Sequence, residues 1–152
     1  MPREFKTYLY LIAALSLFWL SGSFVDSALW FHASYRTPAW VVGNLDIFWL
    51  VFSQFLWPLL IVLILKPKFN TLLAFASAAC FGSVIWDLNY SWLTRGRLIS
   101  DSLLHWFTLG TTGWTISIPA SGAWIFHLSR LIIGAFLLLW LYKRELRMSS
   151  DF

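Results

Sequence analysis

The apolar run at residues 123–142, AWIFHLSRLIIGAFLLLWLY, decides the fold class. As an α-helix rising ~1.5 Å per residue, a run of about 20 residues crosses the ~30 Å hydrocarbon core of a bilayer. His127 and Arg130 lie in the first half of this run. A charged side chain inside a membrane helix costs roughly 2.5–3.5 kcal/mol unless a partner neutralises it. The run therefore predicts a transmembrane bundle in which another helix brings a carboxylate to Arg130.

The composition excludes a soluble globular domain. Of the 152 residues, 59% are hydrophobic and 12% are charged, and the mean hydropathy is +0.70, whereas soluble domains carry roughly 25% charged residues. The 11 tryptophans are typical of membrane interfaces, where the ring lies in lipid and the N–H finds a polar partner. The net charge of +4 does not indicate nucleic-acid binding, because the basic residues stand at the ends of apolar runs. The predicted partner is the lipid bilayer.

Four apolar runs predict a four-span helix bundle that forms a single membrane domain over residues 1–152. The runs are residues 7–30, 45–65, 71–92 and 123–142. A cleaved signal peptide is an alternative for the first run, but that run is longer than the apolar region of a signal peptide. Pro58 predicts a kink in the second run. The small residues at 74–83 predict close helix packing in the third.

The segment at residues 93–122 is predicted to stay at the outer side of the membrane. Ser100 can cap a short helix at residues 100–109, in which Asp101 and His105 are four residues apart and share a face. These ionisable residues and the short apolar length disfavour a fifth span. We therefore expect an interfacial or re-entrant helix there.

The basic residues that flank the runs predict the orientation. With four spans, one side of the membrane carries Arg3, Lys6, Lys66, Lys68, Lys143, Arg144 and Arg147. The other side carries Arg36, Arg95 and Arg97. Because basic flanks stay in the cytoplasm, both termini are predicted to be cytoplasmic, in a plasma (inner) membrane.

Polar residues converge at the outer third of the four predicted spans, where the chain places Asp26, Asp46, Asp87, His127 and Arg130. His127 and Arg130 are three residues apart and are neighbours on one helix face. One interpretation is a structural ion pair, in which the planar guanidinium of Arg130 binds one or two aspartates and holds the helices together. The other is a binding or catalytic site that opens to the outer face.

The functional interpretation assigns roles to these residues. Asp87, His127 and Arg130 are the candidate catalytic residues, because a carboxylate beside an imidazole can carry out acid–base chemistry, with Asp26 as an alternative partner. The candidate ligand-binding residues are Asp26, Asp46, Trp86, Asn89, Tyr90, Asp101, His105 and Trp124.

Metal and cofactor chemistry has weaker support. A metal site from His32, His105 and His127 with Asp26 or Asp101 lacks a ligand motif. A bis-histidine haem is disfavoured because only His127 lies firmly in a span. The single Cys80 excludes disulfides and thiolate clusters within one chain, and no motif indicates a nucleophile. The sequence predicts no metal ligands and identifies no cofactor.

Three function classes follow. The favoured one is a protein that binds or transports a small or amphiphilic ligand at the outer ends of its spans, since aromatic walls with a few convergent polar groups are typical of such pockets. One alternative is a membrane-embedded enzyme that acts on an apolar substrate by acid–base chemistry. The other is an accessory subunit of a larger membrane complex, or a homo-oligomer, because four spans leave little room for a transport path. No motif identifies a protein family.

Overall fold

The computed structural model describes residues 3–33, 55–66, 68–96, 98 and 120–150. Within these ranges most of the chain is helical, and none of the described residues is in a strand. The helices are α1 (Arg3–Ala33), α2 (Trp57–Leu65), α3 (Phe69–Arg95) and α4 (Ala120–Ser150).

Three of these helices are long and apolar enough to cross a membrane. The candidate spans are Glu4–Ala28, Phe69–Leu93 and Gly122–Ser149. They overlap the first, third and fourth predicted spans, and the prediction of an all-helical fold with long apolar helices is confirmed for the described residues. The second predicted span, residues 45–65, is described only from residue 55, and the predicted helix at residues 100–109 lies outside the described residues.

Helices α1 and α3 run parallel to each other. Trp19 of α1 packs edge-on against Phe75 of α3, with ring centroids 5.8 Å apart. One turn later in α1, Ser23 Oγ accepts a hydrogen bond of 2.6 Å from Asn89 of α3. The partners on both helices therefore advance in the same direction.

Helix α4 packs antiparallel to α3. The start of α3 meets the end of α4, where Asn70 donates a hydrogen bond to the buried carboxylate of Glu145. In the middle of the interface, Ser77 Oγ donates to the carbonyl oxygen of Gly134 at 2.9 Å. The ring of Tyr142 also packs on Phe5, with centroids 4.9 Å apart, so α1 begins where α4 ends.

The bundle accordingly has two ends with different chemistry. The basic end is where α1 and α3 begin and α2 and α4 end, and it includes the contact between Lys66 and Glu4. The triad end is the opposite end, which holds Asp87, His127 and Arg130.

A regular stripe of buried residues makes α1 fit this bundle. Seven of its buried side chains recur at steps of three or four residues, the spacing of a helix face that packs along a neighbour. They are Phe5, Tyr8, Ile12, Leu15, Trp19, Ser23 and Asp26. The opposite face is also apolar and exposed, as at Leu17 and Val25, which suits contact with lipid tails.

Glycines allow α3 to approach both neighbours closely. A Cβ atom at Gly82 would lie 2.7 Å from Cδ2 of Trp19, and a Cβ at Gly134 would lie 3.0 Å from Cβ of Cys80. Small residues bring membrane helices together in this way, because packing and hydrogen bonds replace the hydrophobic effect inside lipid. The small-residue segment of α3 lies at these contacts.

The helix boundaries follow local chemistry. Helix α2 begins after a wide turn of π-helical backbone at residues 55–56. Pro58 lies in the first turn of α2, where a backbone N–H would have no acceptor within the helix. Helix α3 ends at Gly96, whose φ of 66° is the left-handed conformation that favours glycine, and whose N–H bonds to the carbonyl oxygen of Trp92 at 2.9 Å. Helix α4 continues through KRELR to Ser150, eight residues beyond the predicted span.

Candidate functional site

An ion pair between α3 and α4 forms the centre of the candidate site. Arg130 Nη2 donates a hydrogen bond of 2.5 Å to Asp87 Oδ2. Both side chains are mostly buried, with 17% and 14% of their surfaces exposed. Arg130 therefore has the carboxylate partner that its place in an apolar helix requires.

His127 is the third member of this cluster, which we call the triad. Its Nδ1 atom lies 2.6 Å from Arg130 Nη2 and 4.0 Å from Asp87 Oδ2. Because a guanidinium has only donors, Nδ1 must accept this hydrogen bond through its lone pair. The imidazole in this arrangement is neutral and carries its proton on Nε2.

Two N–H groups of the triad face no acceptor in the described part of the chain. His127 is 2% exposed, and its Nε2 has no hydrogen-bond partner among the described residues. The same holds for the buried Nε of Arg130. A buried donor without an acceptor costs about 1–3 kcal/mol. These two N–H groups of the triad can therefore donate hydrogen bonds to further oxygen acceptors.

An aromatic ring holds the guanidinium of Arg130 in place. The Arg130 Cζ atom lies 4.3 Å above the ring centroid of Phe126, one helical turn earlier in α4. A cation over an aromatic face gains about 0.5–2 kcal/mol, more where water is excluded. The position of Arg130 is thus fixed by three contacts, to Asp87, His127 and Phe126.

The described triad is electrically balanced. The carboxylate of Asp87 offsets the guanidinium of Arg130, and the neutral His127 adds no charge. Buried charges persist in proteins when they are paired and hydrogen-bonded in this manner.

Polar contacts with α1 lie at the same end. Ser23, the acceptor for Asn89, is fully buried, and Asp26 on the next turn is 5% exposed. Asn89 thus faces α1, whereas Asp87, two residues earlier, faces α4. The sequence predicted that an aspartate pairs with Arg130, and in the described structure this aspartate is Asp87.

The other predicted ligand residues occupy different surroundings. Trp86 is buried in the core between the helices, and Tyr90 packs against that core. Trp124 is 57% exposed on α4. The remaining predicted residues lie outside the described residues, namely Asp46, Asp101 and His105.

A shallow groove of about 450 Å³ runs along α3 at the triad end. Its lining is apolar except for one amide, and it consists of Ile85, Leu88, Asn89, Trp92 and Leu98. Within the described ranges, no group of three or more histidine, cysteine, aspartate or glutamate residues is arranged to hold a metal ion.

Buried polar residues at the basic end escaped the sequence analysis. Asn70 bonds to Glu145, and its amide also lies 3.8 Å from the sulfur of Met148. The signal was present, because Glu145 follows Leu141 by four residues on the buried face of α4. It was obscured because KRELR resembles a solvated tail.

The helices and the triad together indicate a small helical integral membrane protein with an intramembrane cluster of ionisable residues. No protein family, no curated protein and no solved structure matches this sequence. The chemistry of the triad therefore has to follow from its own residues.

Proposed function

We propose that this protein binds an amphiphilic molecule whose polar head carries a hydrogen-bond-accepting oxygen, and that the head lies at the triad. One observation carries the proposal: the buried Nε2–H of His127 has no acceptor among the described residues. The adjacent Nε–H of Arg130 is in the same condition. A ligand oxygen would satisfy a donor that the described helices leave without a partner.

The charge balance narrows the class of ligand. Asp87 and Arg130 already neutralise each other, so an additional buried anion would lack a counter-charge among these three residues. An uncharged head with a carbonyl, ester or hydroxyl oxygen fits better. The ligand class is therefore a lipid-like molecule with a neutral, oxygen-bearing head, bound for storage, sensing or transport.

The surroundings suit the apolar part of such a molecule. Leu128 and Leu131 of α4 are exposed beside His127 and Arg130 and offer an apolar surface at the same end of the bundle, whereas the groove along α3 includes Asn89, which faces α1. The exposed rings of Trp92 and Trp124 also lie towards this end. Pockets for amphiphiles combine apolar walls with a few convergent polar groups.

Two other functions each have one supporting observation. An enzyme that acts on an apolar substrate by acid–base chemistry is supported by the chain of contacts from Asp87 through Arg130 to His127. A subunit of a larger complex, or a homo-oligomer, is supported by α4, since the described helices bury only 17% of its membrane-span window.

The fold supports a four-span topology. Because α1 and α3 are parallel, the chain between them has to cross back, and α2 with residues 45–56 can supply that crossing. Helix α3 ends and helix α4 begins at the triad end, which is compatible with an outer interfacial or re-entrant helix between them. The basic end is then cytoplasmic, in a plasma (inner) membrane.

Matched substitutions of His127 test the ligand proposal. In His127→Asn, the amide oxygen can replace Nδ1 as the acceptor for Arg130, but the Nε2 donor is lost. In His127→Gln, the longer side chain can place an amide N–H near the Nε2 position. The protein is purified in a mild detergent, and co-purifying molecules are extracted and quantified by mass spectrometry per mole of protein.

The expected pattern is retention of one molecule class by the wild type and by His127→Gln, with a loss of about three- to tenfold in His127→Asn. Ser129→Ala on the exposed face of α4 is the control and should retain the wild-type amount. A wild-type protein without any bound amphiphile, or equal retention by His127→Asn, would contradict the proposal.

Cysteine labelling tests the orientation. In a Cys80→Ser background, which removes the single cysteine, Leu98→Cys and Ser149→Cys report on the two ends. A membrane-impermeant maleimide added to intact cells should label position 98, and position 149 only after permeabilisation. The reverse pattern would contradict the cytoplasmic placement of the basic end.

A further inference from the structure

A second surface with ligand-binding character lies at the basic end, far from the triad. A groove of about 150 Å³ is lined by Trp140, Lys143, Arg144 and Arg147. These residues follow one another at steps of three, one and three on α4, so they share one helix face. The groove therefore has an aromatic wall and three cations.

Aromatic contacts fix this groove in place. Phe69 of α3 packs edge-on against Trp140, with ring centroids 6.1 Å apart. The same Phe69 ring lies 5.0 Å below the Cζ atom of Arg144. One residue from a neighbouring helix thus orients both the tryptophan and a guanidinium, which lowers the entropy lost when a ligand binds.

Two of the three cations of this groove have no carboxylate partner in the described part of the chain. Lys143 and Arg144 form no ion pair with described residues, whereas Lys66 at the same end is paired with Glu4. Glu145 follows Arg144 directly in sequence, but its side chain is buried and bonded to Asn70. The anionic group of a ligand can therefore pair with Lys143 and Arg144.

The surface next to the groove is apolar and faces lipid. Ile132, Phe136 and Leu139 are each at least 60% exposed, and they precede the cations along α4 at helical steps of three and four. A membrane helix that ends in this way presents its cations at the depth of the lipid phosphates, with its apolar surface at the depth of the acyl chains.

We propose that this groove binds the phosphate of an anionic membrane glycerophospholipid. Lys143 and Arg144 contact the phosphate, Trp140 lies at the level of the glycerol backbone, and the acyl chains lie along Phe136 and Leu139. A free phosphate would leave that apolar surface unused, so the lipid is the assigned occupant. The site is separate from the triad and does not depend on the function proposed for it.

Native mass spectrometry of the full chain in a mild detergent tests this site. The probe is phosphatidylglycerol, with phosphatidylcholine of the same acyl chains as the zwitterionic comparison. We expect one phosphatidylglycerol adduct in excess over phosphatidylcholine. The double variant Lys143→Gln/Arg144→Gln should lower the fraction of protein with the adduct at least about fivefold, because each cation near lipid phosphates contributes to binding.

The control removes two charges from the same end without touching the groove. Lys6→Gln/Lys68→Gln has the same net charge as the test variant, and both lysines are exposed. It should retain the wild-type adduct. Thermal stability of each variant in detergent identifies loss through unfolding, and Arg144→Lys, which keeps the charge, should retain most of the binding.

Three outcomes would overturn the proposal. Equal adduct loss in both double variants would mean general attraction to the basic end. Equal retention of phosphatidylglycerol and phosphatidylcholine would mean that the charge of the phosphate is not recognised. Displacement of the lipid by millimolar inorganic phosphate would mean a site for a free anion.

Discussion

The indole of Trp19 occupies the space that a side chain at position 82 would fill. A Cβ atom on Gly82 would lie 2.7 Å from Cδ2 of Trp19, and Trp19 is itself buried between α1 and α3. The indole of Trp19 packs directly on the backbone of Gly82, so the two helices approach closely at this level. Changes on either side of the contact should be costly.

Adding a methyl group at position 82 should therefore separate α1 from α3. We expect Gly82→Ala to destabilise the protein by about 1–3 kcal/mol, because a buried indole cannot move aside without losing its own packing. Gly134→Ala should cost less, since its nearest contacts lie at 3.0–3.1 Å. Thermal unfolding in detergent measures both. Ala135→Leu, on the exposed face of α4, is the control and should be nearly neutral.

The ion pair between Asp87 and Arg130 should show strong coupling in a double-mutant cycle. Asp87→Leu and Arg130→Met each leave one buried charge without its partner, and each should cost about 3–5 kcal/mol. The double variant removes both charges and should cost at least ~1 kcal/mol less than the sum of the single changes. Additive costs would show that the two residues are not energetically coupled.

The hydrogen bond from Ser77 to the carbonyl oxygen of Gly134 should make a small, measurable contribution to the free energy of unfolding. Ser77→Ala removes an interhelical donor at a fully buried position and should lower stability by about 0.6 kcal/mol, the average for such bonds within membranes. Ser129→Ala is the matched control, because Ser129 is exposed and bonds to Phe126 of its own helix. An equal loss in both variants would exclude a role for the helix–helix bond.

The contact between Lys66 and Glu4 should stabilise the folded protein, and this stabilisation should be lost at alkaline pH. Partial burial lowers the pKa of Lys66, but the hydrogen bond and charge of Glu4, together with Tyr8, outweigh it and hold the pKa above the ordinary value of 10.5. A raised lysine pKa stabilises the fold below the unfolded value, and the effect is lost as the pH rises through the folded value.

The measurement compares the wild type with Glu4→Gln. Because both side chains are partly exposed, the wild type should be more stable by only about 0.2–1 kcal/mol at pH 8. That difference should shrink as the pH passes above 10.5. Lys68→Gln should not alter this dependence. A difference that persists unchanged in strong alkali would contradict the expected titration.

The sequence was sufficient for three of the helices because bilayer thickness sets their length. It was not sufficient for the faces that they bury. In α1, exposed Leu17 is as apolar as buried Leu15, so hydrophobic periodicity carries little information when the outside of the protein is lipid. Helix α4 continues beyond the predicted span for a related reason, since Glu145 turns inward while its basic neighbours stay exposed.

The candidate site was predicted in part by the cost of an unpaired charge. That cost required a carboxylate beside Arg130, and the spacing of His127 and Arg130 placed them on one face. The choice of Asp87 over Asp26 could not be read from sequence, because both lie near the same depth. It depends on α4 packing against α3, on the face opposite the contacts with α1.

The parallel arrangement of α1 and α3 has a consequence for biosynthesis. A ribosome completes α1 well before residue 82 exists, so Trp19 must wait in the bilayer, or beside an insertion factor, while α2 and most of α3 are translated. Photo-crosslinks from position 19 to α3 should therefore appear only in arrested nascent chains in which residues 75–82 have left the ribosome. In every molecule of this protein, α1 is therefore in the membrane before its partner α3 has been synthesised. The membrane quality control of the cell encounters α1 in that state.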